Sequence, residues 1–185
     1  MTYRFFDLLF SLIGLVLSSP IIILVFIIGF FDTGSPLFIQ ERVGLNKTPF
    51  KLFKFRTMIQ STKSMATHLA NPTSITKFGS FLRKTKLDEL PQLWNVIIGD
   101  MSIVGPRPNL YNQIRLIKER NLLGVYNVLP GITGLAQINK IDMSTPKLLA
   151  QADHTMISTM SIYNYFRYIF ATLVGKGFGD RVKKK

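Results

Sequence analysis

The sequence predicts a mostly helical α+β chain: an N-terminal membrane helix, one small β-hairpin, and amphipathic helices suited to a membrane interface. Three observations carry this. From Leu8 to Phe31 about 24 residues pass without a charge, enough to cross a bilayer core of about 30 Å as a helix. Two alternating runs, "LFIQERV" and "FKLFKFRTM", flank a turn. Beyond them, apolar residues recur at helical spacing in most of the remaining chain.

The apolar run is longer than a signal-peptide core and no cleavage site follows it, so it is read as retained. In its middle stands "SSPI". Pro20 lacks an amide proton and its ring crowds the preceding turn, which predicts two half-helices meeting at Ser19-Pro20. Arg4 precedes the run and every other cation follows it, so the downstream part prefers the cytoplasm. The residues leave two topologies open. The helix spans, which is the commoner solution, or it turns at Pro20 and keeps both ends on the basic side.

Leu37 to Val43 and Phe50 to Met58 read as two strands joined by a loop from Gly44 to Pro49. Lys54 and Arg56 lie two apart and project from one strand face, ordinarily a solvated one. Residues 60–77 read as a short helix and loop, and "FGSFLRKT" as an amphipathic helix with cations on its polar side. Leu87, Leu90, Trp94, Ile97 and Ile98 predict a helix from Leu87 to Ile98 stopped by Gly99.

That helix opens on "LDEL", two adjacent acids among cations. The plain reading makes Asp88 a helix N-cap and Glu89 a residue favoured by the helix dipole. The alternative is chemical. About 100° separates the two side chains around the axis, so one carboxylate can hold a divalent cation while the other faces an electrophile.

"SIVGPRPN" presents Arg107 between two prolines, which removes backbone freedom from a side chain whose planar fork fits phosphate. A helix over Leu110 to Leu123 is expected only to pack. "PGITGLAQIN" reads as a turn whose Gly131 and Gly134 let backbone amides approach a ligand, although it is no standard phosphate loop. Helices are expected from Pro146 to Met160 and from Ile162 to Val174. The second is rich in aromatics suited to the lipid headgroup zone, and the closing "GDRVKKK" suits an anionic leaflet.

Composition narrows the function. There are 185 residues, 47% of them hydrophobic, enough for about one domain with an ordinary core. Lys and Arg number 23 against 10 acids, a formal charge of +13 that attracts polyanions. With no Cys and only two His, disulfides and thiolate metal sites are excluded and a zinc site is not expected. No nucleic acid is expected as a partner, because the aromatics cluster near the membrane element rather than among the cations. A multispanning architecture is set aside because a single apolar run is long enough to span.

Taken in order, "SSP", "KFRTM", "LRKTKLDELPQLWNVIIGDMSIVGPRP" and "PGITGLAQIN" resemble the bacterial sugar transferases, specifically the small monotopic phosphoglycosyl transferases. The resemblance covers essentially the whole chain. It implies a re-entrant helix over residues 1–31 broken at Ser19 and Pro20, and a catalytic domain over 32–185 on the cytoplasmic face of a bacterial inner membrane. The amphipathic interfacial helices would then surround a cytoplasmic active site.

The implied reaction moves a sugar 1-phosphate from a UDP-sugar to polyprenyl phosphate and releases UMP, as the first membrane step of glycan assembly. Asp88 would be the nucleophile and Glu89 the ligand of Mg²⁺. Lys54, Arg56, Arg107, Gly131, Thr133, Gln137 and Asp153 would contact substrate. By the same analogy the sugar is N-acetylated, and an anionic bilayer is a further partner. Oligomeric state is left open, a homodimer included. One departure stands out: the family usually has Arg before "PGITG", where this chain has Leu129, so a phosphate or uridine diphosphate contact is either missing or supplied by another cation such as Arg115 or Arg120.

Overall fold

The computed structural model describes residues 2–60 and 72–175. Most of the reading of residues 60–77 and the whole basic tail therefore lie outside the described residues. The chain begins with helix α1, Thr2–Thr33, about 48 Å long at 1.5 Å per residue. Its mean hydropathy reaches 2.7, and among the described residues it is the one helix long and apolar enough to cross a membrane.

Pro20 lies inside α1, which continues as helix on both sides of it. The side chains explain how. The amide missing at position 20 would have bonded Val16, and the Ser19 hydroxyl donates to that carbonyl instead (2.8 Å), while Ser18 donates to Gly14 (2.6 Å). Ser19 thus supplies the donor that the proline removes.

The hairpin forms as expected. Strands β1, Leu37–Val43, and β2, Pro49–Phe55, are antiparallel, with Phe38 opposite Lys54. β2 ends at Phe55 rather than Met58, which instead makes an isolated bridge to Ile75. Helix α2, Lys77–Thr85, is capped by Thr76, whose hydroxyl oxygen accepts from the Gly79 amide. A 3-10 turn over Leu87–Glu89 precedes α3, Gln92–Ile98. The single helix expected from Leu87 is therefore split. Through Leu90 and Pro91 the amides of Leu90, Leu93 and Trp94 bond three residues back, and α-helical bonding begins only beyond the proline. Gly99, at φ 100°, ends α3 as predicted.

A second sheet was not expected. Strands β3, Ser102–Val104, and β4, Gly131–Thr133, run parallel. Helices α4, Ile114–Leu122, α5, Leu135–Ile138, α6, Pro146–Ser158, and α7, Ile162–Leu173, complete the chain. α4 starts later than Leu110 because Leu110 and Gln113 first close a turn: the Leu110 amide donates to the Gln113 side chain and the Gln113 amide to the Leu110 carbonyl. α7 leaves Tyr163, Phe170 and Leu173 exposed and buries Tyr165 and Tyr168.

Both ends of α1 are fastened to this one domain. Arg4 donates to the carbonyls of Met101 and Ile97, both at 3.2 Å. One oxygen of the buried Asp7 accepts from the Ser102 hydroxyl (3.0 Å), the Ile103 amide (2.9 Å) and the Tyr165 hydroxyl (2.8 Å). Burial and that carboxylate push the Tyr165 phenol far up. Eighteen residues on, about 27 Å along the axis, Val25 packs with Phe55 and Leu82, and the Thr76 hydroxyl donates to Asp32 (2.6 Å). Between these attachments Val16, Leu17 and Ile21 are exposed.

Candidate active site

The acidic pair sits on the 3-10 turn, and both residues are buried. Lys86, in the left-handed region at φ 60°, ends α2 and turns the chain into it. A lysine in that conformation costs about 1–2 kcal/mol relative to glycine, the kind of strain that collects at functional turns. The N-cap of α3 is Pro91, not Asp88, so the capping role is not the one this acid fills. Asp88 lies one turn too early because Pro91 delays the helix.

Cations surround the pair. Arg107 Nη2 meets Glu89 Oε1 at 2.6 Å, with side-chain exposures of 20% and 10%. Lys86 is beside both: burial lowers its pKa, Glu89 acts to raise it, and Arg107 lowers it. β2 packs against the acidic turn and carries Lys54, which is buried. Lys54 and Arg56 do share a face, since both lie over the Phe38 ring, at 5.5 and 5.3 Å from its centre. Arg56 also donates to the carbonyls of Ser35 (2.9 Å) and Leu37 (3.2 Å), which fastens the exit of α1 to the hairpin.

The "PGITGLAQIN" segment is placed differently from expectation. Gly131 and Gly105 are small because two backbones meet there: a Cβ on Gly131 would lie 2.0 Å from the Gly105 amide nitrogen. The Gly131 amide donates to Pro106 (2.9 Å). Thr133 is buried and its hydroxyl pairs with that of Thr172. Gln137 donates to the Gly105 carbonyl (3.3 Å), and its buried Oε1 has no partner among the described residues. Gly131, Thr133 and Gln137, expected as substrate contacts, are placed here in contacts with the fold itself.

Asp153, also expected at the substrate, is likewise held by the fold. It is fully buried, and its Oδ2 accepts from Arg120 Nε (3.0 Å) and Nη2 (2.7 Å). Burial pushes its carboxyl up, with Arg120 opposing. Arg120 is equally buried, so it is not available at the surface to replace the arginine absent at Leu129. Arg115 is exposed on α4. Leu129 itself lines a cavity of about 400 Å³ with Val128, Val104, Met156 and Met160, and neither Asp88 nor Glu89 reaches it.

Two supporting residues escaped the sequence reading. Asn95, fully buried on α3, accepts from the Phe53 amide (3.0 Å) and donates to the Lys51 carbonyl (2.7 Å), acting as a strand neighbour for β2. It ties the acidic turn's helix to the strand bearing Lys54. Its place on the polar stripe of α3 was visible, but its partner was not. Asp7 gave no signal beyond being a lone acid before an apolar run.

A buried acidic turn under Arg107, beside a cationic strand and a membrane helix, calls for comparison with known proteins. The family described as bacterial sugar transferase matches residues 1–177. The chain belongs to that family. Among relatives of the same kind is an uncharacterised sugar transferase, EpsL, of Bacillus subtilis (strain 168), 43% identical over 74% of this chain and 67% of its own. The UDP-glucose:undecaprenyl-phosphate glucose-1-phosphate transferase of Klebsiella pneumoniae is 38% identical over 95% of this chain and 40% of its own. A putative undecaprenyl-phosphate N-acetylgalactosaminyl 1-phosphate transferase of Bacillus subtilis is 45% identical over 57% and 60%. This bacterial sugar transferase thus spans well under half the length of several curated relatives it matches.

Proposed function

We propose that this chain transfers a sugar 1-phosphate from a UDP-sugar to polyprenyl phosphate through a phosphosugar ester on Asp88. The observation that carries the reading is the Glu89–Arg107 contact on the Asp88 turn, which sets a buried carboxylate among cations. A pyrophosphate repels a carboxylate nucleophile, so attack needs neutralising charge in place, and Arg107, Lys86 and Lys54 are the cations gathered around this turn.

In the first step an Asp88 oxygen attacks the sugar-bearing phosphorus, the bond to the bridging oxygen breaks, and UMP leaves with that electron pair. In the second, an oxygen of polyprenyl phosphate attacks the same phosphorus and the Asp88 carboxylate departs. Arg107 exchanges its bond to Glu89 for the donor phosphates as they enter.

The donor set suits Mg²⁺. Among the described residues no group of three or more His, Cys, Asp or Glu could hold a metal. A magnesium ion shared with substrate phosphates usually takes one or two carboxylates from the protein, and Asp88 and Glu89 are adjacent on one turn. Glu89 would hold the ion, with Asp88 beside it. Bound there, Mg²⁺ supplies further charge neutralisation at the pyrophosphate.

We also read α1 as re-entrant, with the catalytic domain on the cytoplasmic face. Support comes from the attachments of Arg4 and Asp7 at one end and Val25 and Asp32 at the other, all to one domain. A helix crossing to the far side would carry Asp7 away from Ser102 and Tyr165. Tags at both termini should therefore be reached from the cytoplasmic side alone, and a periplasmic N-terminus would sink this topology.

An N-acetylated hexosamine is the first sugar to try, supported by the N-acetylgalactosaminyl relative, although others are named for glucose and galactose. A panel of UDP-sugars with polyprenyl phosphate and Mg²⁺, read by UMP release, tests the activity. Release from none of them, with the protein folded in membrane mimetic, would leave a membrane-surface protein without this chemistry.

A further inference from the structure

We propose that Asp153, acting through Arg120, is a positioning residue that aims Arg107 at the donor phosphates. The proposal rests on the phosphate-binding role given to Arg107 above. Its basis is the backbone of the loop. Every main-chain carbonyl from Gly105 to Asn109 accepts a hydrogen bond from a distant part of the chain. Gly105 is bonded by Gln137 Nε2 (3.3 Å), Pro106 by the Gly131 amide (2.9 Å), and Arg107 by Arg120 Nη1 (2.9 Å). Pro108 is bonded by Arg42 Nη1 (3.0 Å) and Asn109 by the Val43 amide (2.9 Å).

With Pro106 and Pro108 fixing their own φ angles and restricting the residues before them, the segment has little freedom left. Five donors from β1, α4, β4 and α5 set where it sits. The bond to the Arg107 carbonyl is the one nearest the functional side chain, and Arg120 makes it. The same nitrogen also donates to Asn109 Oδ1 (2.9 Å), which accepts from the Tyr126 hydroxyl (3.0 Å) as well. Arg120 is oriented in turn by its two bonds to Asp153 Oδ2.

A buried ion pair is weak support for stability, since well-packed apolar residues of similar volume often serve the fold as well or better. What apolar residues cannot do is donate to the Arg107 carbonyl. Because a guanidinium must meet phosphate at hydrogen-bond distance, a backbone displaced by about 1 Å can cost up to about 100-fold. Aiming Arg107 is therefore a role the pair fills and packing alone does not.

The test is a double-mutant cycle of Asp153→Asn and Arg107→Ala in the full chain, read by UDP affinity in calorimetry and by donor KM in UMP release. Asp153→Asn alone should weaken UDP binding and raise KM about 10-fold or more, with thermal stability above the assay temperature. On the Arg107→Ala background the same change should alter both by less than about twofold, because nothing is left to aim. Equal losses on both backgrounds, or no loss in the first, would overturn the proposal. If Asp153→Asn does not fold, Gln137→Met, which removes the bond to Gly105, goes through the same cycle with the same criteria. Arg107→Ala binding UDP as tightly as the unchanged chain would overturn the phosphate reading as well, and so separates the two failures.

Discussion

Two Arg–carboxylate pairs of the molecule differ in how tightly they are held. Glu89–Arg107 retains exposures of 10% and 20%, whereas Arg120–Asp153 is joined by two guanidinium bonds at exposures of 2% and 0%. The open pair can exchange partners when an anion arrives. The closed pair cannot, and its remaining donors go to main chain and Asn109. A charged residue near a site is thus assigned by what its other atoms hold, not by its charge.

This contrast can be broken most severely at the closed pair. Arg120→Met should leave Asp153 buried without a counter-charge and cost about 3–5 kcal/mol of stability, measured by denaturation in membrane mimetic. A loss under about 1 kcal/mol would mean that the pair is no more fixed than a surface one. At the open pair the effects should reverse. Arg107→Ala should change stability by no more than about 1 kcal/mol yet raise donor KM roughly 10- to 100-fold, the worth of one charge-assisted bond to phosphate. Unfolding in place of the kinetic defect would erase the distinction. The smallest effect should follow Glu89→Gln, which keeps a hydrogen-bond acceptor for Arg107. The Mg²⁺ concentration for half activity should rise at least about 10-fold, the lower end of what even outer-shell partners contribute. An unchanged Mg²⁺ titration would remove Glu89 from the metal site.

The same contrast explains what could be read before the structure. Periodicity reveals what a segment does with its neighbours in sequence, and so α1, the hairpin and helices α6 and α7 emerge near their true bounds. Asp88, Glu89 and Arg107 stand out by local chemistry, as acids among cations and an Arg held by prolines, whereas Lys54 reads locally as a solvated strand residue and is pointed to only by the family resemblance. What local chemistry leaves unseen is a remote partner. Asp153 and Arg120 are 33 positions apart, and Ser102 is 95 from Asp7. No window along the chain joins them. Gly131 shows the same limit, since a glycine that admits a ligand and one that admits another backbone look alike until Gly105 is seen against it. Strands β3 and β4 have three residues each, too few for an alternating pattern to register.

Whether Asp88 is the nucleophile can be measured directly. The protein is given labelled UDP-sugar and Mg²⁺ without polyprenyl phosphate, and UMP and intact mass are followed together. About one UMP should be released per active site, with the phosphosugar retained on a peptide containing Asp88. Asp88→Asn should remain folded and bind the donor but release none, because an amide is a far poorer attacker of phosphorus than a carboxylate. The account is contradicted if the unchanged protein carries no adduct and releases UMP only when both substrates are bound.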